Sequence, residues 1–308
     1  MRVLFLGTPA FSVKVLDSIL HSTHEVVGVI TQPDKVNDRN GKINFSKVKE
    51  YAIANGLPVM QFNSINKDGE EVIKSLHPDV MVTCAYGQII KQNILDICPI
   101  INVHASLLPA YRGSSPVQWA LINGEDVVGV TIMKTELGVD TGDIILQKGI
   151  RLNGDENTDE TLMLLSKLGG ELIVEALDLM ENGKETYKKQ DEQRATHCRM
   201  LTKNDGLIDF SKTAVDVKNF IRGMTPWPSA YTTCVNGRIK IIKASVVDYS
   251  GGEHNGEIVC SDKKDGLIVK CGTGYIRIDY LQGENSRAMD AKSYLLGKRI
   301  PVGSILGE

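Results

Sequence analysis

A chain of 308 residues with 42% hydrophobic and 24% charged content is ordinary globular material, long enough for two hydrophobic cores. The net charge of −3 is uneven: through Arg199 there are 20 Lys+Arg against 26 Asp+Glu, and beyond it 15 against 12, so the two parts carry −6 and +3, a basic excess far below that of domains that bind nucleic acid by charge alone. Cys84, Cys98, Cys198, Cys234, Cys260 and Cys271 are scattered without C-x-x-C spacing, and no apolar run suits a bilayer span or a secretory signal. These features suggest neither a disulfide framework nor a zinc site, argue against a membrane helix, and predict a soluble, unprocessed protein of the reducing cytoplasm.

In chain order, short β-branched runs alternate with helical patterns, as in a parallel sheet covered on both faces. Strands are expected at residues 3–6, 26–31, 80–85, 100–103 and 128–133. Between the first two, residues 9–20 place Phe11, Val15, Leu16 and Ile19 on one helical face, with Thr8 available as cap and Pro9 at the first helical position. Residues 158–180 repeat apolar side chains at Leu162, Leu165, Leu168, Leu172 and Leu179, a long amphipathic helix that Asn182-Gly183 ends. The polar stretch 185–204 lacks apolar periodicity and reads as a linker, leaving 1–184 as a first domain and 205–308 as a second. The second domain predicts a helix at 211–221 and strands at 239–244, 256–260, 267–271 and 275–280, which suit a small closed or partly open β-barrel.

The chemistry concentrates in the first domain. Gly7-Thr8-Pro9 stands where a dinucleotide-binding protein carries G-x-G-x-x-G, but the second and third glycines are absent, which argues against a dinucleotide. Asn102-Val103-His104 ends a central strand, and alternation points Asn102 and His104 to one side of the sheet edge where ligands bind. Alone, this histidine reads as structural. A long irregular loop follows it, from Ser106-Leu107-Leu108-Pro109 through Tyr111-Arg112-Gly113 to Pro116, and loops of that kind bind ligands. Farther on, Leu137-Gly138-Val139-Asp140-Thr141-Gly142-Asp143 brings carboxylates into a glycine-relaxed turn, either as turn formers or to orient the His104 ring.

Asn102-Val103-His104-Ala105-Ser106-Leu107-Leu108-Pro109 with Tyr111-Arg112-Gly113 and Pro116 resembles the signature of the folate-dependent formyltransferase superfamily, and Val139-Asp140-Thr141-Gly142-Asp143-Ile144 resembles its partner motif. Phe5-Leu6-Gly7-Thr8-Pro9-Ala10-Phe11, Thr31-Gln32-Pro33-Asp34, Cys84-Ala85-Tyr86-Gly87, Asp205-Gly206-Leu207-Ile208-Asp209-Phe210 and Pro226-Trp227-Pro228 narrow the resemblance to the branch that acts on methionyl-tRNA. It covers nearly the whole chain. The resemblance implies an α/β fold: a Rossmann-like formyltransferase domain with a parallel-rich sheet, then a small OB-like β-barrel domain that contacts tRNA. It also implies transfer of the formyl group of 10-formyltetrahydrofolate to methionine on initiator Met-tRNA, by a monomer that uses no metal.

Carried over by position, the family's catalytic residues fall on Asn102, His104 and Asp140. Its folate-contacting loop falls on Ser106, Leu107, Leu108 and Pro109, and the pteridine-pocket wall on Cys84, Ala85, Tyr86, Gly87 and Gln88. The family's tRNA-entering loop falls on the segment carrying Lys35, Arg39, Lys42, Lys47 and Lys49, although Phe45-Ser46-Lys47-Val48 departs from the usual Pro-Ser-Pro-Val. Arg238 and Lys240 of the second domain are candidates for backbone phosphates, as any exposed basic barrel residue is. Rival readings are formyl transfer to an amino sugar nucleotide, hydrolysis of the formyl donor, and an RNA-binding module without catalysis. The last leaves Asn102, His104 and Asp140 unexplained.

Overall fold

A computed structural model describes residues 1–36 and 43–307. The chain packs as two compact units. Residues 1–113, 127–150 and 162–198 form the first, and residues 114–126, 151–161 and 199–308 the second. This packing boundary differs from one drawn on polarity alone. Two short segments of the first half group with the second unit, and residues 185–198 of the polar stretch group with the first.

The first unit is built on seven strands: β1 (Arg2–Gly7), β2 (Glu25–Thr31), β3 (Val59–Gln61), β4 (Val80–Cys84), β5 (Ile100–His104), β6 (Val127–Lys134) and β7 (Ile144–Arg151). Their order across the sheet is β7-β6-β5-β4-β1-β2-β3. The five strands from β5 to β3 run parallel, with Val3 opposite Val26 and Val80, and Met81 opposite Ile100. β6 runs antiparallel to β5, placing Thr131 opposite His104. Leu4, Phe5, Leu6, Val29, Ile30, Met81 and Val82 are fully buried, so the central strands read as continuous apolar runs, as strands covered on both faces must.

Helix α1 (Ala10–Leu20) follows β1 and buries Val15, Leu16 and Ile19. Its start corrects the expected cap: Pro9 is the N-cap residue and supplies no side-chain bond. The Thr8 hydroxyl instead donates to the carbonyl of Tyr86, 2.9 Å away, tying the β1 turn to the end of β4. Helix α2 (Lys47–Ala54) is capped by Ser46, whose hydroxyl accepts from the amide of Lys49. The long helix (Thr158–Glu181), here α4, buries Leu165, Leu168, Leu172, Ile173, Ala176 and Leu177. It ends at Gly183, whose φ of 61° suits a residue without Cβ, while the amide of Lys184 reaches back to the carbonyl of Leu179.

In the second unit, α3 (Pro116–Ile122) packs on α5 (Ala214–Met224), which is why a segment from the first half belongs here. A Cβ at Gly223 would meet Ile122 Cγ1 at 2.7 Å, a measure of how closely the two helices approach. α5 starts three residues later than expected because Asp209 accepts from both the amide and the hydroxyl of Ser211, holding a turn until Thr213 caps the helix. Six antiparallel strands follow, five of them in one path: β8 (Ala230–Cys234), β9 (Gly237–Val247), β10 (Ile258–Asp262), β11 (Gly266–Lys270) and β12 (Tyr275–Gly283), with β13 (Met289–Asp290) pairing off the path on β12. Their order is β8-β9-β12-β11-β10, a path with two ends, so the observed element is an antiparallel sheet, where the sequence suggested a closed or partly open barrel. Val217, Ile221, Ile239, Ile241, Ile258, Ile276 and Ile278 form its core. All six cysteines are free thiols.

Gly169 and Gly170 interrupt an otherwise good helix sequence in α4, at a cost of about 1 kcal/mol each relative to alanine. The reason is close packing. A Cβ at Gly170 would lie 2.2 Å from Ser18 Oγ and 3.0 Å from Ser18 Cβ on α1. Gly170→Leu is therefore expected to lower stability by about 2–3 kcal/mol, read as a lower urea midpoint with an unchanged m value.

Candidate active site

Asn102 and His104 occupy alternate positions at the C-terminal end of β5, on one side of the sheet. The amide oxygen of Asn102 accepts from the Thr83 hydroxyl at 2.9 Å, which directs its half-exposed NH2 group away from β4 as a donor. His104 is 6% exposed. Its Nε2 lies 2.9 Å from the carbonyl oxygen of Tyr111, and a carbonyl only accepts, so Nε2 carries hydrogen. Nδ1 is then the nitrogen at which the ring exchanges its second proton, and it lies 3.6 Å from Asp140 Oδ2.

Asp140 stands in the turn between β6 and β7 with φ of 54°, in the left-handed region. Its Oδ2 accepts from the amide of Gly113 at 2.8 Å. Gly113 has φ of 105°, and a Cβ there would meet the Cys198 carbonyl oxygen at 2.5 Å, so only glycine fits. The residues whose spacing pointed to chemistry thus converge: Asn102 and His104 share a strand end, and Asp140 faces His104.

The 106–109 loop is fixed from below. Thr131 donates to the carbonyl of Ser106 and accepts from the amide of Leu108, and Gln147 donates to both Thr131 and the Leu108 carbonyl. The Leu108-Pro109 peptide is cis. Ser106 and Leu108 are buried, and Leu107 packs against Gly129, where a Cβ would fall 2.4 Å from Leu107 Cδ2. Of residues 84–88, Cys84 is fully buried, and burial pushes its thiol up to about 12. Ala85 and Gly87 are exposed with positive φ, whereas Tyr86 is buried and its hydroxyl has no partner among the described residues. Gln88 binds the amide of Ile65 and the carbonyl of Phe62, a supporting role behind the surface.

A layer that the sequence did not disclose lies behind Asp140. The Arg112 side chain is 2% exposed and is the largest fully buried one among the described residues. Its guanidinium pairs with both carboxylate oxygens of Glu192 and donates twice to Gln190 Oε1. The Glu192 hydrogen bond holds this guanidinium above its ordinary value, and the same pairing holds the Glu192 carboxyl below its own. The Gln190 NH2 donates to the carbonyls of Asp140 and Gly142, each at 2.8 Å. Thr196 binds the Tyr111 amide, and His197–Cys198 pairs in parallel with Arg112–Gly113. Burial first, then the charge of Asp140, pushes the Cys198 thiol up to about 11.

The basic candidates are dispersed. Lys35 is exposed on a two-residue ladder in which it pairs with Asn44, and Lys47 is exposed and bonded to Glu50. The Lys49 ammonium bonds Asp34 and Gln61 beneath the Phe45 ring, so it is committed within the fold. Arg39 and Lys42 lie outside the described residues. In the second unit Arg238 and Lys240 are exposed on β9, with the Arg238 guanidinium 3.5 Å from the Tyr231 ring centroid. Among the described residues, two clusters of metal-ligand residue types, His24 with Asp178 and Glu181 and Cys260 with Asp262 and Asp265, involve none of the His104 group.

Residues 1–177 match the model of the formyl transferase family, and residues 200–299 match that of the formyl transferase C-terminal domain. Among solved structures, an N-formyltransferase from Helicobacter canadensis in complex with folinic acid and dTDP-3-aminofucose superposes with a TM-score of 0.68 at 20% identity, covering 92% of this chain and 98% of that one. HypX from Aquifex aeolicus in complex with tetrahydrofolic acid gives a TM-score of 0.64 at 15% identity over 96% of this chain, which spans only 47% of HypX. Both are likenesses of fold. Methionyl-tRNA formyltransferase of Caldanaerobacter subterraneus subsp. tengcongensis is 42% identical, covering 99% of this chain and all of that one, and that of Ruminiclostridium cellulolyticum is 39% identical over the whole of both. Two matched domains in the same order and full-length relatives at this identity show that the chain belongs to the methionyl-tRNA formyltransferase family.

Proposed function

We propose that this chain transfers the formyl group of 10-formyltetrahydrofolate to the α-amino group of methionine on initiator Met-tRNA, giving N-formylmethionyl-tRNA. The observation that carries the reading is the convergence of Asn102, His104 and Asp140 at one sheet edge in a chain of this family. When bound, the donor supplies a formyl carbon whose oxygen gathers negative charge as the amine adds; the carbon–N10 bond breaks as the new C–N bond is made, the amine loses a proton, and tetrahydrofolate leaves with one at N10. An α-amine with a pKa of about 8 is partly neutral at physiological pH, so the protein's tasks are positioning, charge stabilisation and proton transfer. The Asn102 NH2, with no acceptor among the described residues, donates to that oxygen. His104 gives or takes its proton at Nδ1, and Asp140 stabilises the ring in its charged form or holds a water that relays the proton.

The exposed backbone at Ala85 and Gly87 and the rigid 106–109 loop suit the flat, hydrogen-bonding edge of a pterin, and these residues are assigned to donor binding. Lys35, Arg39, Lys42, Lys47, Lys49, Arg238 and Lys240 are assigned to tRNA, with Lys49 acting through the fold it braces. Residues 1–184 then form the catalytic module and residues 205–308 an OB-like module. The barrel reading draws on the C-terminal segment, where Gly303, Ser304 and Leu306 hydrogen-bond to residues 256–258 and Gly307 to Thr233 of β8. The enzyme is read as a cytoplasmic monomer.

Formyl transfer from labelled donor should be confined to charged initiator tRNA, with charged elongator tRNA inert by acid precipitation of the tRNA and free methionine inert by chromatography of the acid-soluble products. Transfer to an amino sugar nucleotide in preference to tRNA would replace this reading. His104→Ala is expected to lower kcat by about 10³-fold and Asn102→Ala by about 10²-fold. In both variants the affinity for the formyl donor, measured by fluorescence titration, should change by less than about threefold. An unchanged kcat in either would remove that residue from the mechanism.

A further inference from the structure

We propose that Gln190 is a positioning residue for formyl transfer, acting with buried Arg112 to hold the backbone of Asp140 so that its carboxylate faces His104. The inference rests on the function proposed above. The Gln190 amide uses its full bonding capacity: Oε1 accepts from Nε and from a terminal nitrogen of Arg112, and Nε2 donates to the Asp140 and Gly142 carbonyls. It therefore clamps the Asp140 turn from behind at two points.

Asp140 needs such a clamp. Its φ of 54° lies in the left-handed region, which aspartate tolerates in turns but which does not by itself aim the carboxylate at His104. The next anchor point lies close against the chain, since a Cβ at Gly142 would fall 1.9 Å from the Lys134 carbonyl oxygen. In front, the Gly113 amide bonds Asp140 Oδ2, and Gly113 follows Arg112 directly. Arg112 thus reaches Asp140 by two routes, through the chain to Gly113 and through its guanidinium to Gln190. The separation of 3.6 Å between Asp140 Oδ2 and His104 Nδ1 exceeds a direct hydrogen bond, so small displacements of the turn decide whether proton transfer is served.

The test is a double-mutant cycle on the full-length chain, with steady-state release of tetrahydrofolate in the presence of charged initiator tRNA as readout. Gln190→Leu is expected to lower kcat by about 10- to 100-fold, with KM for the formyl donor changed by less than about threefold. Gln190→Glu keeps an acceptor for Arg112 but loses both donors, and should show a similar fall in kcat. In an Asp140→Asn background either substitution should cost less than about threefold more, because the group it positions is already disabled. The Glu variant supplies the cycle if the Leu variant does not fold. Equal losses in both backgrounds would show a general structural role, and a wild-type kcat in an active, folded Gln190 variant would show none; either result overturns the proposal. A wild-type chain that releases no tetrahydrofolate with charged initiator tRNA sinks the proposed function together with this one.

Discussion

The arrangement of the site depends on one buried charge. The Arg112 guanidinium is removed from water and ion-paired with the carboxylate of Glu192, which is itself mostly exposed, while the charge of Asp140 also favours it. Burying a cation is costly unless its donors are matched, and here Glu192 and Gln190 take up both the charge and the fork geometry of the guanidinium. The consequence is topological. Three stretches distant in sequence, the loop after β5, the turn between β6 and β7 and the segment 190–198, must meet around this side chain. Loss of any one would leave buried polar groups without partners.

The sheet supplies the rest of the frame. Parallel strands deliver their C-terminal ends to one edge, and β5 brings Asn102 and His104 there on the same side. The antiparallel β6 runs from Thr131, opposite His104, to Lys134, opposite Ile101, so the turn after it leaves beside the start of β5. The bonds of Gly113 and Gln190 to Asp140 hold its Oδ2 3.6 Å from His104 Nδ1. Thr83 on β4 and the Tyr111 carbonyl then fix which way Asn102 and His104 present their hydrogens. The geometry of the candidate site thus rests on backbone groups and small hydroxyls that are themselves fixed by the sheet.

Charge is used differently at the base of the 35–44 segment. Lys49 closes an internal network in which Asp34 is held below its ordinary value by the Lys49 hydrogen bond, with Gln61 adding to it. This anchors the Gln32-Pro33-Asp34 step to α2, while Lys35 and Lys47 remain at the surface. A basic sequence segment therefore contains both a brace and exposed cations, which composition does not distinguish.

The sequence by itself determined the alternation of strands and helices, the long α4, the placement of Asn102 and His104 on one side of a strand end, and the family, because each is written in local periodicity or in a contiguous motif. It did not determine that the polar stretch 185–204 contributes Gln190, Glu192 and Thr196 to the site, since a solvated linker and a strap held by side-chain hydrogen bonds have the same composition. Nor did it determine that Thr8 binds Tyr86 instead of capping α1, or that Lys49 is committed to Asp34 and Gln61. The facing of Asp140 and His104 was decided by tertiary structure alone. Residues 36 positions apart meet only after strand order, turn conformation and the buried Arg112 have each been set by contacts distant in sequence.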